Sequence, residues 1–154
     1  MSESVYDAMG GAEAVLALAH HWHERVLADA MVAHAFSHGF RADHTERLAA
    51  YWAEQLGGPT AYTEDLGEHS EVLRLHSGNG EHAEMDRRSE ACFAQAMDDA
   101  GLPDDERLRA TLTAWFHWGV ELMDTYPETP DAVPGDLPLP RWTWDGPVVT
   151  GQGL

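Results

Sequence analysis

Histidine is the over-represented residue type among the side chains that could do chemistry in this chain. Ten of its 154 residues are histidine. Histidine is the commonest metal ligand in proteins and the side chain that titrates near neutral pH, so this excess predicts a metal or cofactor site. Most of the ten histidines must still lie outside such a site, and their positions along the chain indicate which of them could belong to it.

The densest group of histidines lies early in the chain, where His20, His21 and His23 precede Glu24. His20 and His23 are one helical turn apart and could bridge a surface metal ion. A zinc or di-iron site would need further ligands from a facing helix. His34 and His38 have a similar spacing, but Gly39 follows at once and favours the end of a helix.

A second arrangement joins His44 to His76, which lie on different predicted helices. Large apolar side chains that could enclose a flat ligand are available at Phe36, Leu48, Trp52, Tyr62, Phe93 and Trp115. A haem requires an imidazole on one side of the iron, an apolar slot and a polar side chain over the other face. The alternative is that these histidines are hydrogen-bonded members of the core.

The elements that position these histidines are predicted to be helices. Apolar residues recur every three or four positions over residues 12–30, and His23 lies within this buried arc. Asp43 is a good N-cap for a helix that begins with His44. A short helix over residues 71–76 ends at His76, where Leu73 helps to hold it. Further helices are predicted over residues 83–100 and after Asp104 or Asp105. Residues 60–69 are predicted to be irregular. No segment has the alternating pattern of a strand. The fold class is therefore all-α, with five or six helices.

The composition changes after residue 126, because six of the eight prolines follow it. This pattern predicts one domain over residues 1–126 and a non-helical tail over residues 127–154. Packing of Trp142 and Trp144 onto the domain is favoured over a role as a proline-rich peptide ligand.

Charge and hydropathy exclude several classes of partner. The formal net charge is −18, which repels nucleic acids and anionic lipids. No apolar run approaches the ~20 residues of a membrane span. The acidic start lacks a signal-peptide core, so we expect a cytoplasmic protein. The one cysteine, Cys92, predicts a buried thiol.

Four motifs in order resemble the group II truncated haemoglobins. They lie at residues 6–11 (YDAMGG), 46–48 (ERL), 57–62 (GGPTAY) and 72–76 (VLRLH), and the resemblance covers about residues 5–125. Two glycine pairs, at 10–11 and 57–58, match the tight corners of that shortened globin fold.

The resemblance implies a two-over-two helical sandwich around haem b, with His76 as the proximal iron ligand. It also implies that Phe36 packs on the porphyrin and that Leu48 is the distal apolar residue. His23 departs from the family, which usually has tyrosine there, and His44 stands where group II members often have a small residue. The family also commonly has tryptophan near residues 92–93. Because the family pattern ends before the tail, we expect removal of residues 128–154 to leave the haem spectrum unchanged.

The implied function is reversible binding of O₂ or another diatomic gas, such as NO or CO. The alternative is a haem redox enzyme, resembling an NO dioxygenase or a peroxidase, in which His23 or His44 moves a proton. Such an enzyme would need an external reductase, because the sequence carries no flavin or nicotinamide motif. A third hypothesis is a helical non-haem metal or interaction module that uses His20, His21, His23 and the tail.

Overall fold

The computed structural model describes residues 3–36, 39–77, 82–126, 128–135 and 137–148. Helix is the dominant secondary structure. The α-helices are α1 (Val5–Met9), α2 (Gly11–Ala28), α3 (Ala30–Ala33), α4 (His44–Gln55), α5 (His69–His76), α6 (Ala83–Asp99) and α7 (Glu106–Met123). Two 3₁₀ turns lie at His34–Phe36 and Pro130–Ala132, and a π-helical turn lies at Tyr62–Leu66. Two short antiparallel strands, β1 (Trp142–Thr143) and β2 (Gly146–Pro147), form a hairpin in the tail.

The long helices form a two-over-two sandwich with α2 at its centre. Helix α2 packs against both α4 and α6, and α6 packs against α7. An aromatic cluster fills the core between them; its members are Trp22, Trp52, Phe93, Trp115 and Phe116. The buried Trp115 indole N–H donates to the Gln55 side-chain oxygen at 3.0 Å, so this polar atom is satisfied. No helix among the described residues is long and apolar enough to cross a membrane.

The glycine pairs make the close corners that the motifs predict. Gly10 has φ 121° between α1 and α2, a backbone conformation that favours glycine. At the second pair, a Cβ on Gly58 would lie 2.7 Å from the Tyr6 ring, and one on Gly57 would lie 2.9 Å from the Ser4 Cβ. The first and third motifs are therefore in contact. Only glycine allows so close an approach, because a Cβ atom at either position would clash with Tyr6 or Ser4.

The predicted long helices agree with the structure apart from their ends, but the expectation of five or six helices is wrong, because the described residues contain seven α-helices, including the short α1 and α3. Residues 60–69 are not irregular throughout, since Tyr62–Leu66 forms a π-helical turn and α5 begins at His69. The first long helix stops at Ala28, where Asp29 caps the separate short helix α3 through hydrogen bonds from the N–H groups of Met31 and Val32. Asp43 precedes α4 as predicted, but its side chain makes no capping hydrogen bond, whereas the Asp105 side chain caps α7 by accepting the Leu108 N–H. The expectation of no strand is wrong, because the tail contains the two-residue strands β1 and β2. Strands this short carry too few residues for an alternating pattern.

The described part of the tail lies against the globular body. Trp142 is buried, and its ring packs edge-on against Trp118 of α7 with centroids 5.8 Å apart. The Trp144 indole N–H donates to the Glu3 carbonyl at 2.8 Å. The guanidinium of Arg107 lies 4.5 Å from the centre of the Trp144 ring. The tail therefore joins the last long helix to the first described residues of the chain.

His69, the first residue of α5, is buried beside Tyr51. The Tyr51 hydroxyl and the His69 Nδ1 are hydrogen-bonded at 2.7 Å, and the two rings stack. Burial lowers the pKa of His69 to about 4. The unfolded chain therefore takes up a proton at His69 near pH 6.5, whereas the folded chain does so only near pH 4.

We expect His69 to make the protein less stable as the pH falls from 6.5 towards 4. Its contribution is full above pH 6.5 and decreases by about 3 kcal/mol over this window. Urea unfolding at pH 7 and pH 4.5 should show a smaller loss of unfolding free energy in His69→Gln than in the unchanged protein. Equal losses in the two proteins would contradict this assignment.

Candidate functional site

One side of the candidate site is a cage of four rings. His23 comes from α2, His44 opens α4, and Phe36 and Phe40 come from the connection between them. The ring centroids of His23 and His44 are 4.8 Å apart. Phe36 lies 5.0 Å from His23 and 5.2 Å from His44, and Phe40 lies 4.7 Å from His23. The structure therefore brings together three of the predicted site residues.

Both imidazoles in this cage carry a buried nitrogen that lacks a hydrogen bond. The Nε2 atoms of His23 and His44 have no partner among the described residues. Such atoms are rare, because leaving a buried polar group unpaired costs about 1–3 kcal/mol. These two nitrogens point to a ligand on this side of the site.

The electrostatics of the cage favour neutral imidazoles. Burial lowers the pKa of His23, and the nearby His20 lowers it further. Burial is also the largest cause that lowers the pKa of His44, and repulsion from His23 and from His76 lowers it further. At neutral pH each ring therefore has one N–H donor and one nitrogen lone pair.

His76 is the third histidine that the sequence predicts for this site. It is the last residue of α5, and its Nδ1 lies 2.8 Å from the Val72 carbonyl oxygen, one turn back. This hydrogen bond favours the tautomer in which Nδ1 donates its proton, which leaves the lone pair on Nε2. That tautomer is the one that a metal-binding imidazole uses. Solvent reaches the residue, yet the protein atoms around the ring remove enough water to lower its pKa.

The other predicted haem contacts lie deeper in the fold. Trp52, Phe93 and Trp115 are buried in the aromatic cluster between the helices. Tyr62 is buried with its ring 5.1 Å from that of Tyr51. Leu48 is half-buried beside this core, and Leu73 of α5 is buried. As haem contacts these six positions stay predictions.

The histidine cluster on α2 does not come together as a group of metal ligands. His20 is exposed, His21 lies 4.0 Å from Glu24, and His23 points into the ring cage. His34 is exposed, while His38 is outside the described residues. Within the described ranges, the one group of three potential ligands lies elsewhere, at His82, Asp86 and Asp124.

Sequence reasoning missed Phe40 and the His82 group. Phe40 lies four residues before His44, a spacing that would place it beside the His44 ring if the segment were helical. Gly39 indicated instead that the helix is interrupted before Phe40. The group at His82 joins the beginning of α6 to the end of α7, and no local pattern connects residues so far apart.

Comparison with known protein families identifies the family to which the chain belongs. The family model of the bacterial-like globins matches residues 4–117. The chain belongs to this family, whose prosthetic group is haem with its iron.

Solved structures narrow the likeness to the truncated, two-over-two haemoglobins. The group II truncated haemoglobin of Bacillus anthracis is 19% identical, with 82% of this chain and 95% of that chain covered and a TM-score of 0.66. A thermostable haemoglobin of the actinobacterium Thermobifida fusca is 25% identical, with 82% and 100% covered and a TM-score of 0.66. The group II haemoglobin of Agrobacterium tumefaciens is 24% identical, with 79% and 94% covered and a TM-score of 0.65. Curated protein sequences gave no match.

The residues of this chain fit a haem. His76 has the tautomer that an axial ligand needs, and it lies close enough to His44 for their charges to interact. In the ring cage, two imidazole nitrogens lie buried without partners in the described part of the chain, and Phe36 and Phe40 provide flat apolar surfaces. An axial donor, an apolar slot and polar groups on the far side are the features by which globins hold haem and its ligands.

Cys92 lies close to this site as a buried thiol. It packs with Val26 and Val32, and Phe36 of the ring cage borders the same cluster. Burial raises the pKa of its thiol, and the neighbouring Asp29 raises it further. The thiolate that would attack a reagent is therefore disfavoured.

We expect Cys92 to react slowly with thiol reagents in the folded protein. A solution of 5,5′-dithiobis(2-nitrobenzoate) should label it in urea at least about a hundredfold faster than in native buffer, since labelling requires the cluster to open. Labelling at the same rate in both solutions would show that the thiol is accessible.

Proposed function

We propose that this globin reversibly binds O₂ at a haem whose iron is held by His76. A bound haem would supply an iron that His76 could hold and that could bind a gas molecule. The observation that carries the proposal is the pair of buried Nε2 atoms, of His23 and His44, that have no partner among the described residues. Other diatomic gases, NO and CO, fit the same site.

His44 is the better candidate for direct contact with the gas. It lies close enough to His76 for their charges to interact, and it also touches three other rings of the cage. Its lowered pKa keeps the ring neutral, so an N–H can donate to the partial negative charge of an oxygen ligand. His23, at 7% exposure, contacts the His44 ring.

Oxygen titration of the reduced, haem-loaded protein tests this proposal. The absorption spectrum should change on addition of O₂ and return to its starting form when the gas is removed. Oxidation of the iron within a few seconds of exposure, with no reversible phase, would contradict the proposal.

A redox enzyme is the second candidate, and the pairing of His23 with His44 favours it. Two neutral imidazoles 4.8 Å apart could accept and pass on a proton during turnover. The activity would be NO dioxygenation or peroxide turnover, and a separate reductase would have to supply electrons. Sustained consumption of NO or peroxide in the presence of a reductant, lost in His44→Leu, would establish the enzyme over the carrier.

A further inference from the structure

The helix that carries His76 depends on contacts outside the main helical sandwich. Helix α5 has eight residues, a length that is unstable in water by itself. Among the helices and strands, its most extensive contacts are with the 3₁₀ turn Pro130–Ala132 of the tail, ahead of those with α7. The tail is therefore the main packing partner of α5.

A hydrogen bond to a buried side chain fixes the tail to the first turn of α5. The hydroxyl of Ser70 accepts the backbone N–H of Leu137 at 2.9 Å, and Ser70 is 0% exposed. One turn further on, a Cβ at Gly135 would lie 3.7 Å from the Arg74 guanidinium. The tail thus follows α5 from Ser70 to Arg74, two residues before His76.

The tail can hold α5 because its other end is anchored. Leu139 and Trp142 are buried in the main core, and Trp144 donates to the Glu3 carbonyl. Between them, the guanidinium of Arg141 lies 3.7 Å from the buried carboxylate of Glu54 on α4. A segment fixed to α4, α7 and the first described residues gives α5 a rigid support.

We propose that the tail positions His76, and that Ser70 is the positioning residue through which it acts. The proposal rests on the proposed function, in which His76 is the iron ligand. The Ser70–Leu137 hydrogen bond and the packing of Pro130–Ala132 fix the position of α5 in the fold. They would thereby hold the His76 imidazole in the orientation in which it meets the iron of a bound haem. This inference replaces the expectation that the protein without residues 128–154 has an unchanged haem site.

Resonance Raman spectroscopy of the reduced, gas-free protein tests this role. The stretching band between iron and histidine reports the geometry of that bond. Ser70→Ala removes the acceptor of the hydrogen bond, and Leu137→Pro removes the donor from the other side. Both variants should shift the band. Each should also lose haem to excess apomyoglobin about threefold to tenfold faster, the effect of one hydrogen bond.

Trp144→Phe is the matched control, because it removes a tail hydrogen bond that does not touch α5. It should leave the Raman band in place, even if the protein unfolds at a lower temperature. Bands identical to that of the unchanged protein in both Ser70→Ala and Leu137→Pro would overturn the positioning role. Full haem retention in His76→Ala would instead overturn His76 as the ligand, so the two failures are distinguishable.

Discussion

Replacing His76 by alanine is expected to abolish stable haem binding. The substitution removes the iron ligand but leaves the cage of Phe36, Phe40, His23 and His44 unchanged. We expect haem affinity to fall roughly a hundredfold or more, which corresponds to about 3 kcal/mol. The ratio of haem to protein after purification and gel filtration measures this loss.

Two further variants make the His76 result specific. His34→Ala removes an exposed histidine and should retain a full complement of haem. His76→Gly should regain haem when imidazole is added to the buffer, because the free base can occupy the space of the missing side chain. An alanine variant with the haem content and Soret band of the unchanged protein would end the assignment of His76.

Replacing His44 by leucine should accelerate O₂ dissociation about tenfold. The leucine keeps the cage apolar but removes the N–H donor, and a hydrogen bond of ~1–1.5 kcal/mol corresponds to that change in rate. Stopped-flow mixing of the oxygenated protein with dithionite measures the dissociation rate. Phe40→Leu is the control, since it alters the same cage without removing a donor.

The same variant reveals whether His44 also binds the iron when no gas is present. If His44 is a sixth ligand, the reduced protein will have a six-coordinate spectrum, and His44→Leu will make gas association faster. If His44 only donates a hydrogen bond, the reduced protein will be five-coordinate and association will change little. Unchanged gas kinetics in His44→Leu, with a large effect in His23→Leu, would transfer the distal role to His23.

Local sequence patterns predicted the parts of the fold that local physics controls. Asp43 and Asp105 precede helices because their position and residue type favour helix starts. The Gly57–Gly58 pair predicted a tight corner, since only glycine tolerates the approach of Tyr6. The position of His23 within an apolar arc predicted its burial.

The features that could not be predicted depend on residues far apart in the chain. The bond between Ser70 and Leu137 spans 67 residues and leaves no periodic signal at either end. Phe40 contacts His23 and His44 because of the path of the irregular connection after α3. Gly39 predicted only that regular helix ends in this connection. Tertiary packing fixes such contacts, whereas propensity and periodicity fix the helices that bring them together.

The absorption spectrum of the purified, reduced protein tests the central claim most directly. We expect one haem per chain, with a Soret band that shifts when CO is added and returns when CO is removed. A folded protein that is colourless and takes up no haem on titration with haemin would contradict the account.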